Sequence, residues 1–365
     1  MTYDDALKII TKKQSLGIMP GLSRISALLE MMGNPQNSLK IIHIAGTNGK
    51  GTVSALIANT LTKNGYKTGL FTSPWVDDYT EQIQIDLKYI PKEIFARYVE
   101  EYSEYDATEF ELVTAIMYKY FFDSGVDYAV VECGMGGQGD STNAIDAPEI
   151  AVITSVSLDH TNFFGNSLQD IAREKSGIIK KNSTVVLYPN AKAQSVFEDK
   201  CTQMNARLIK VDDAEDYMQN NISTAKAVLR ELGIKDTLCP VSLPARQEYV
   251  KENIMLDGAH NPDGARALAK NLPDREITAV IGMMKDKDVD AYLSIIAPRC
   301  KKIITTTPSN SRAMSADELK TLAEKYCPDV TAVSNPLQAV RQTDYDFLLV
   351  CGSFYLARDI RKELL

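Results

Sequence analysis

The sequence predicts an α/β protein with largely parallel sheets, divided between two domains. Three observations carry that expectation. Short apolar runs alternate with helix-period patterns along the whole chain. A glycine-rich turn, His43-Ile-Ala-Gly-Thr-Asn-Gly-Lys-Gly-Thr52, joins one such run to one such helix. The length, 365 residues, suffices for two domains of ordinary size.

In chain order, strands are expected at Lys40–Ile44, Thr68–Thr72, Asp127–Glu132, Ile150–Ser155, Thr184–Tyr188 and Arg207–Val211. Four more are expected at Asn253–Asp257, Ile277–Gly282, Lys301–Thr306 and Asp346–Cys351. The stretch Val53–Leu61, closed by Asn64-Gly65, reads as a helix with its C-cap. Another helix is expected over Ala214–Leu232. The composition breaks after it, where two prolines fall within Gly233–Pro244. The expected domains are therefore residues 1–240 and 241–365.

The turn at His43–Thr52 has the parts of a phosphate loop. A strand-to-helix turn offers backbone N–H groups and a helix N-terminus to a phosphate chain. Lys50, on an exposed loop, would add positive charge, and the Thr52 hydroxyl a place for Mg²⁺. The strict pattern is not met, since Ile44 and Gly51 stand where it wants Gly and Ser or Thr. An ordinary β–α turn would be the plainer reading of a lone glycine motif. Here glycine, lysine and threonine coincide with the strand–loop–helix context.

Composition excludes several classes. A net charge of -8 leaves no basic surplus for a nucleic acid backbone. Six scattered cysteines without a C-x-x-C pair point to reduced, mostly buried thiols. Met1–Asp5 is acidic and no apolar run is long enough to span a membrane. The expectation is a cytoplasmic, monomeric protein acting on small molecules.

Ligands of open parallel sheets bind outside the carboxyl ends of the strands. Those ends carry the phosphate loop, Ser73-Pro74, Glu132 and Ser155-Val-Ser-Leu-Asp-His160, a plausible Mg²⁺ shell although imidazole is an unusual ligand for so hard an ion. His43 lies within a strand and reads as structural. In the last third the ends carry Asp257-Gly-Ala-His260, Met283–Asp288 with Lys285, and Thr307–Arg312. Both domains thus offer polar strand ends, as a cleft between them would require.

From about Met19 to Arg361 these residues resemble the Mur ligase superfamily, and within it the folylpolyglutamate synthase/dihydrofolate synthase family. The resemblance rests on His43–Thr52, Thr108-Glu-Phe-Glu111, Glu132–Asn143, Ile153–Thr161, Ile171–Lys180 and Leu256–Ala265. It implies an N-terminal P-loop ATPase domain and a smaller Rossmann-like C-terminal domain. It implies an ADP-forming ligase that adds L-glutamate to a folate or dihydropteroate carboxylate through an acyl phosphate, with ATP and two Mg²⁺ ions as cofactors. By the same resemblance the loop Gly46, Thr47, Asn48, Gly49, Lys50, Gly51, Thr52 would cradle the ATP phosphates, with Lys50 on the transferred group. Ser73, Glu132 and His160 would hold metal. Lys175, otherwise one charge among several on a solvated helix, would be carbamylated and become a carboxylate-bearing metal partner. Asn221 would meet adenine, and Arg246 and Asp257 the nucleotide. Thr108, Glu109, Phe110, Glu111, Gly139, Asp140 and Ser141 match the pterin side. His260 and Lys285 are candidates to position the amino acid.

The chain departs from the family pattern in four places. Gln82 and Gln138 stand where the family has arginines, Ala245 where it has glycine, and the stretch from Lys181 to Asn221 is short. Losing two guanidinium forks weakens the case for a polyanionic acceptor. The alternative is a Mur-type ligase joining another amino acid to another carboxylate. A nucleotide switch would need neither the C-terminal domain nor Lys175, and a dinucleotide fingerprint is not met.

Overall fold

The computed structural model describes the chain apart from Ile18, Pro20, His160, Asn190, Glu215 and Asp236 and the side chains of Thr161 and Asn162. It forms two compact units. One comprises Met1–Ser73 and Thr80–Val241, the other Pro74–Tyr79 and Ser242–Leu365.

The first unit is built on eight strands: β1 (Ile41–Ala45), β2 (Thr68–Phe71), β3 (Ile83–Ile85), β4 (Lys88–Tyr89), β5 (Tyr128–Glu132), β6 (Ile150–Ile153), β7 (Thr184–Leu187) and β8 (Arg207–Lys210). Their order is β4-β3-β2-β5-β1-β6-β7-β8. All neighbours pair in parallel except β2 with β3 and β3 with β4. Each parallel strand from β1 to β7 is a nearly unbroken apolar run because helices cover both faces. β1 is central, and its one polar side chain, His43, is completely buried. The helix Lys50–Lys63 is buried from Gly51 to Leu61 and packs against the helix Tyr217–Glu231. Its small and apolar residues suit contact all round.

The second unit has six strands: β9 (Glu248–Lys251), β10 (Ile254–Leu256), β11 (Ile277–Ile281), β12 (Lys302–Thr305), β13 (Val330–Ala332) and β14 (Phe347–Cys351). Their order is β13-β12-β11-β14-β10-β9, parallel except for β9. Alternation along each strand divides its core between the two faces. Met255, Phe347 and Leu349 enter one cluster with Tyr292 and Leu319. Ile254, Leu256, Leu348 and Val350 enter another with Leu356 and Ile360 of the helix Phe354–Leu364.

Val76 belongs to that second cluster, although the rest of its unit begins only at Ser242. Its neighbours are pinned by the same helix. The Arg358 guanidinium lies 3.4 Å from the Trp75 ring centroid and donates to the Trp75 carbonyl. Arg361 approaches Asp77 at 3.5 Å and clasps Glu248.

All ten expected strands are present, each within two residues of its expected ends. β3, β4, β9 and β13 were not anticipated. They are two to four residues long, and three of them carry exposed or half-exposed residues without an apolar run. All six cysteines are unpaired. No helix among the described residues is long and apolar enough to cross a membrane.

Candidate active site

The glycine-rich turn is fixed by the segment that follows β6. Thr47 N donates to Ser155 O at 2.7 Å, and Asn48 N to Ser155 Oγ at 3.1 Å. The Ser155 hydroxyl donates back to Asn48 O, and Thr47 Oγ1 bridges the backbone of Ser157. Gly49 takes φ +88°, and a Cβ there would meet Asn221 Oδ1 at 2.5 Å. A Cβ on Gly46 would collide with the Thr154 hydroxyl. The helix begins at Lys50, leaving its first N–H groups without partners inside the helix.

Lys50 is not on an exposed loop, as the sequence suggested, because the helix starts at this residue. Its ammonium lies 3.3 Å from Thr47 O and 3.9 Å from Glu132 Oε1, with the side chain 15% exposed. Gly51 and Thr52 follow inside the helix, both buried.

Glu132 ends β5, 2% exposed, and its other carboxylate oxygen accepts from Ser73 N at 3.3 Å. Lys175 is buried as well, which overturns the solvated-helix reading. On the helix Leu168–Ser176 it shares the buried face with Ile171, one turn earlier. Its amine donates to Gly46 O at 2.9 Å. Burial, and then the charge of Lys50, bring its pKa down to about 7. His160, the remaining expected metal ligand, lies outside the described residues. Among the described residues no three His, Cys, Asp or Glu side chains gather as a metal site.

Asn221 faces Gly49 from the helix Tyr217–Glu231. It is 0% exposed, and neither amide atom has a partner among the described residues. A buried amide without partners is costly, so this one is suited to a ligand edge with both a donor and an acceptor.

The residues expected on the pterin side divide by role. Thr108 caps the helix Glu109–Ser124, and Glu111 reaches back to Thr108 N at 2.7 Å, completing a capping box. Glu111 also pairs with Arg24 at 3.0 Å. The Phe110 ring covers Gly134 and tilts against Phe71, while Glu109 is half-buried. Gly139 N donates to Glu174, and Ser141 is buried in the short turn capped by Asp140. Asp140 accepts from Met135 N, Thr142 N and the Thr142 hydroxyl. Gln138 and Gln82, in the places of the family arginines, bond through their backbones to Glu174 and Thr72.

In the second unit Asp257 follows β10, accepts from Gln247 N and Ala259 N, and is raised in pKa by burial. His260 is fixed through Nδ1 to Gly258 O, with its ring edge-on to Phe354. The Arg246 guanidinium lies 4.9 Å from the centroid of the same ring. The structure thus groups Arg246, Asp257 and His260. Lys285 is largely exposed and paired with Glu318 at 3.4 Å.

A glycine-rich strand-to-helix turn with a buried acid and a buried lysine beside it, on a parallel sheet followed by a second α/β unit, suits an ATP-using ligase of the Mur class. Two domain models agree: the Mur ligase middle domain over residues 44–261, and the Mur ligase glutamate ligase domain over residues 245–354. The chain is 32% identical to folylpolyglutamate synthase of Lacticaseibacillus casei, covering 100% of this chain and 99% of that protein. Its fold is similar to E. coli FolC in complex with DHPP and ADP, with TM-score 0.89 and 27% identity over 98% of this chain and 97% of that one. It is also similar to the Yersinia pestis bifunctional folylpolyglutamate synthase/dihydrofolate synthase complexed with AMPPNP and Mn, with TM-score 0.88 and 26% identity over 100% and 98% of the two chains. The chain belongs to the folylpolyglutamate synthase/dihydrofolate synthase family.

Proposed function

We propose that this enzyme joins L-glutamate to the carboxylate of a folate or dihydropteroate, cleaving ATP to ADP and phosphate. The observation that carries the reading is the phosphate loop Gly46–Thr52 with Lys50, Glu132 and Lys175 gathered on it. A carboxylate is a poor electrophile. Transfer of the γ-phosphoryl group makes it an acyl phosphate, which the glutamate amine attacks with loss of phosphate. Lys50 offsets charge developing on the phosphoryl oxygens. The N–H groups opening the Lys50 helix hold the phosphates, and Asn221 reads the base. Arg246 and Asp257 serve the nucleotide, and His260 and Lys285 are the candidates to position the amino acid.

A divalent cation fits the oxygen donors of Ser73 and Glu132, and neutralises phosphate charge when bound. Lys175 fits a carbamate, since its amine is buried and close to neutral. The carbamate would turn a cation into a third oxygen donor. Thr108 and Glu111 also form the helix cap, and the pterin-side segments are Thr108, Glu109, Phe110 and Glu111 with Gly139, Asp140 and Ser141.

The reading is tested by ADP release with paired substrates. Hydrolysis that requires both L-glutamate and dihydropteroate or tetrahydrofolate supports it. Turnover only with a different amino acid or acceptor would return the enzyme to the wider Mur class, as Gln82 and Gln138 allow.

A further inference from the structure

His43 stands at the centre of the first unit, where nothing in the reaction asks for an imidazole. Its surroundings are specific. Nε2 lies 2.8 Å from Thr142 Oγ1 and 3.2 Å from Cys133 Sγ. Thr142 Oγ1 lies 2.5 Å from Asp140 Oδ1. The Thr142 carbonyl accepts from the buried Tyr118 hydroxyl at 2.6 Å, which fixes the backbone of the turn. His43 Nδ1 is buried and has no partner among the described residues.

That last fact orients the whole chain of hydrogen bonds. A bare N–H donor in an apolar interior is rarer than a bare acceptor. The ring proton therefore belongs on Nε2, where it donates to Thr142 Oγ1 and is shared with Cys133. Thr142 has one hydroxyl proton, and with its oxygen accepting from His43 that proton is directed at Asp140. Complete burial holds the imidazole neutral, with its pKa lowered to about 3.

We propose that His43, acting through Thr142, is a positioning residue for Asp140. The relay occupies Oδ1, and among the described residues Oδ2 accepts only from Met135 N, which leaves Oδ2 one lone pair to accept an N–H of the substrate ring, such as an aminopyrimidine presents. The proposal rests on the reading of Asp140 as a contact to the substrate ring. It makes the central strand, otherwise the support of the phosphate loop, a determinant of acceptor binding.

The test is steady-state kinetics with dihydropteroate or tetrahydrofolate as the varied substrate. Thr142→Val keeps the shape and removes the hydroxyl. It should raise KM for the acceptor about tenfold or more, with kcat and KM for ATP near parent values. Thr142→Ser, which keeps the hydroxyl, should resemble the parent and separates loss of the relay from loss of fold. His43→Leu should reproduce Thr142→Val. His43→Gln, whose amide N–H reaches near the Nε2 place, should recover most of the affinity. The His43→Leu/Thr142→Val double variant should be no worse than Thr142→Val alone. An unchanged acceptor KM in Thr142→Val, equal defects in His43→Leu and His43→Gln, or a KM for ATP that rises in step would each overturn the relay. Asp140→Asn tests the underlying reading separately. If it leaves acceptor KM unchanged, Asp140 does not touch the substrate, whatever the other variants do.

Discussion

At Lys175, burial and the neighbouring Lys50 charge act in the same direction, and both favour the neutral amine that CO₂ requires. Carbamylation should therefore be present in the active enzyme. Lys175→Ala is expected to be nearly inactive and partly rescued by added acetate, and a high-resolution map should show planar density beyond Nζ. A bare ammonium in the map with a fully active alanine variant would remove the carbamate. Lys50 is 15% exposed with its ammonium beside Thr47 O and Glu132, so Lys50→Ala should lose ligation, and a thermal unfolding curve close to the parent's would show that the loss is chemical. Near-normal turnover would contradict its role on the phosphoryl group. Glu132→Ala and His160→Ala should each raise the Mg²⁺ requirement or abolish activity. Parent-like Mg²⁺ titrations in both would make them structural polar groups. The chemistry of these residues was open to a reader of the sequence, but their burial was not. Lys175 sits in a charged stretch, Arg173-Glu-Lys175, and only its position one turn from Ile171 hints at the inward face.

Among the elements, the helix Glu109–Ser124 shows how a motif can carry two meanings. Thr108-Glu-Phe-Glu111 was read through the family as a substrate segment, while Thr-x-x-Glu before an apolar run is also the sequence signature of a capping box. The box is legible in the sequence alone. Thr108→Ala should destabilise the enzyme by about 1 kcal/mol, seen as a lower urea midpoint with an unchanged slope, and acceptor affinity should fall only through that loss. A large rise in acceptor KM without loss of stability would instead make Thr108 a direct ligand. The long buried strands were readable because helices on both faces force continuous apolar runs. β4, β9 and β13 were not, because edge and terminal strands half-open to water need no such pattern. The same limit applies to the His43 relay. A polar residue in an apolar strand is visible in sequence, but its partners Thr142 and Asp140, about a hundred residues away, are not.

For the molecule as a whole, parallel sheets could be inferred from alternating patterns, since each crossover helix must return the chain to the same sheet edge. The path between the units could not. Nothing in Pro74-Trp-Val-Asp-Asp-Tyr79 marks it as part of the later unit; only the contacts of Trp75, Val76 and Asp77 do. The chain therefore passes between the units three times, at Ser73/Pro74, Tyr79/Thr80 and Val241/Ser242. It follows that the enzyme is not two beads on a string that a protease or a gene designer can part. A piece spanning 242–365 lacks the Val76 side chain that fills its core, while a piece spanning 1–241 carries that side chain with nothing to bury it. Expressed alone, the C-terminal piece should unfold at lower denaturant than the same region in the intact enzyme. A synthetic peptide covering residues 74–79 should raise its midpoint, and the peptide with Val76→Asp should not. A C-terminal piece as stable alone as in the whole chain would show that the six residues are a tether rather than a part.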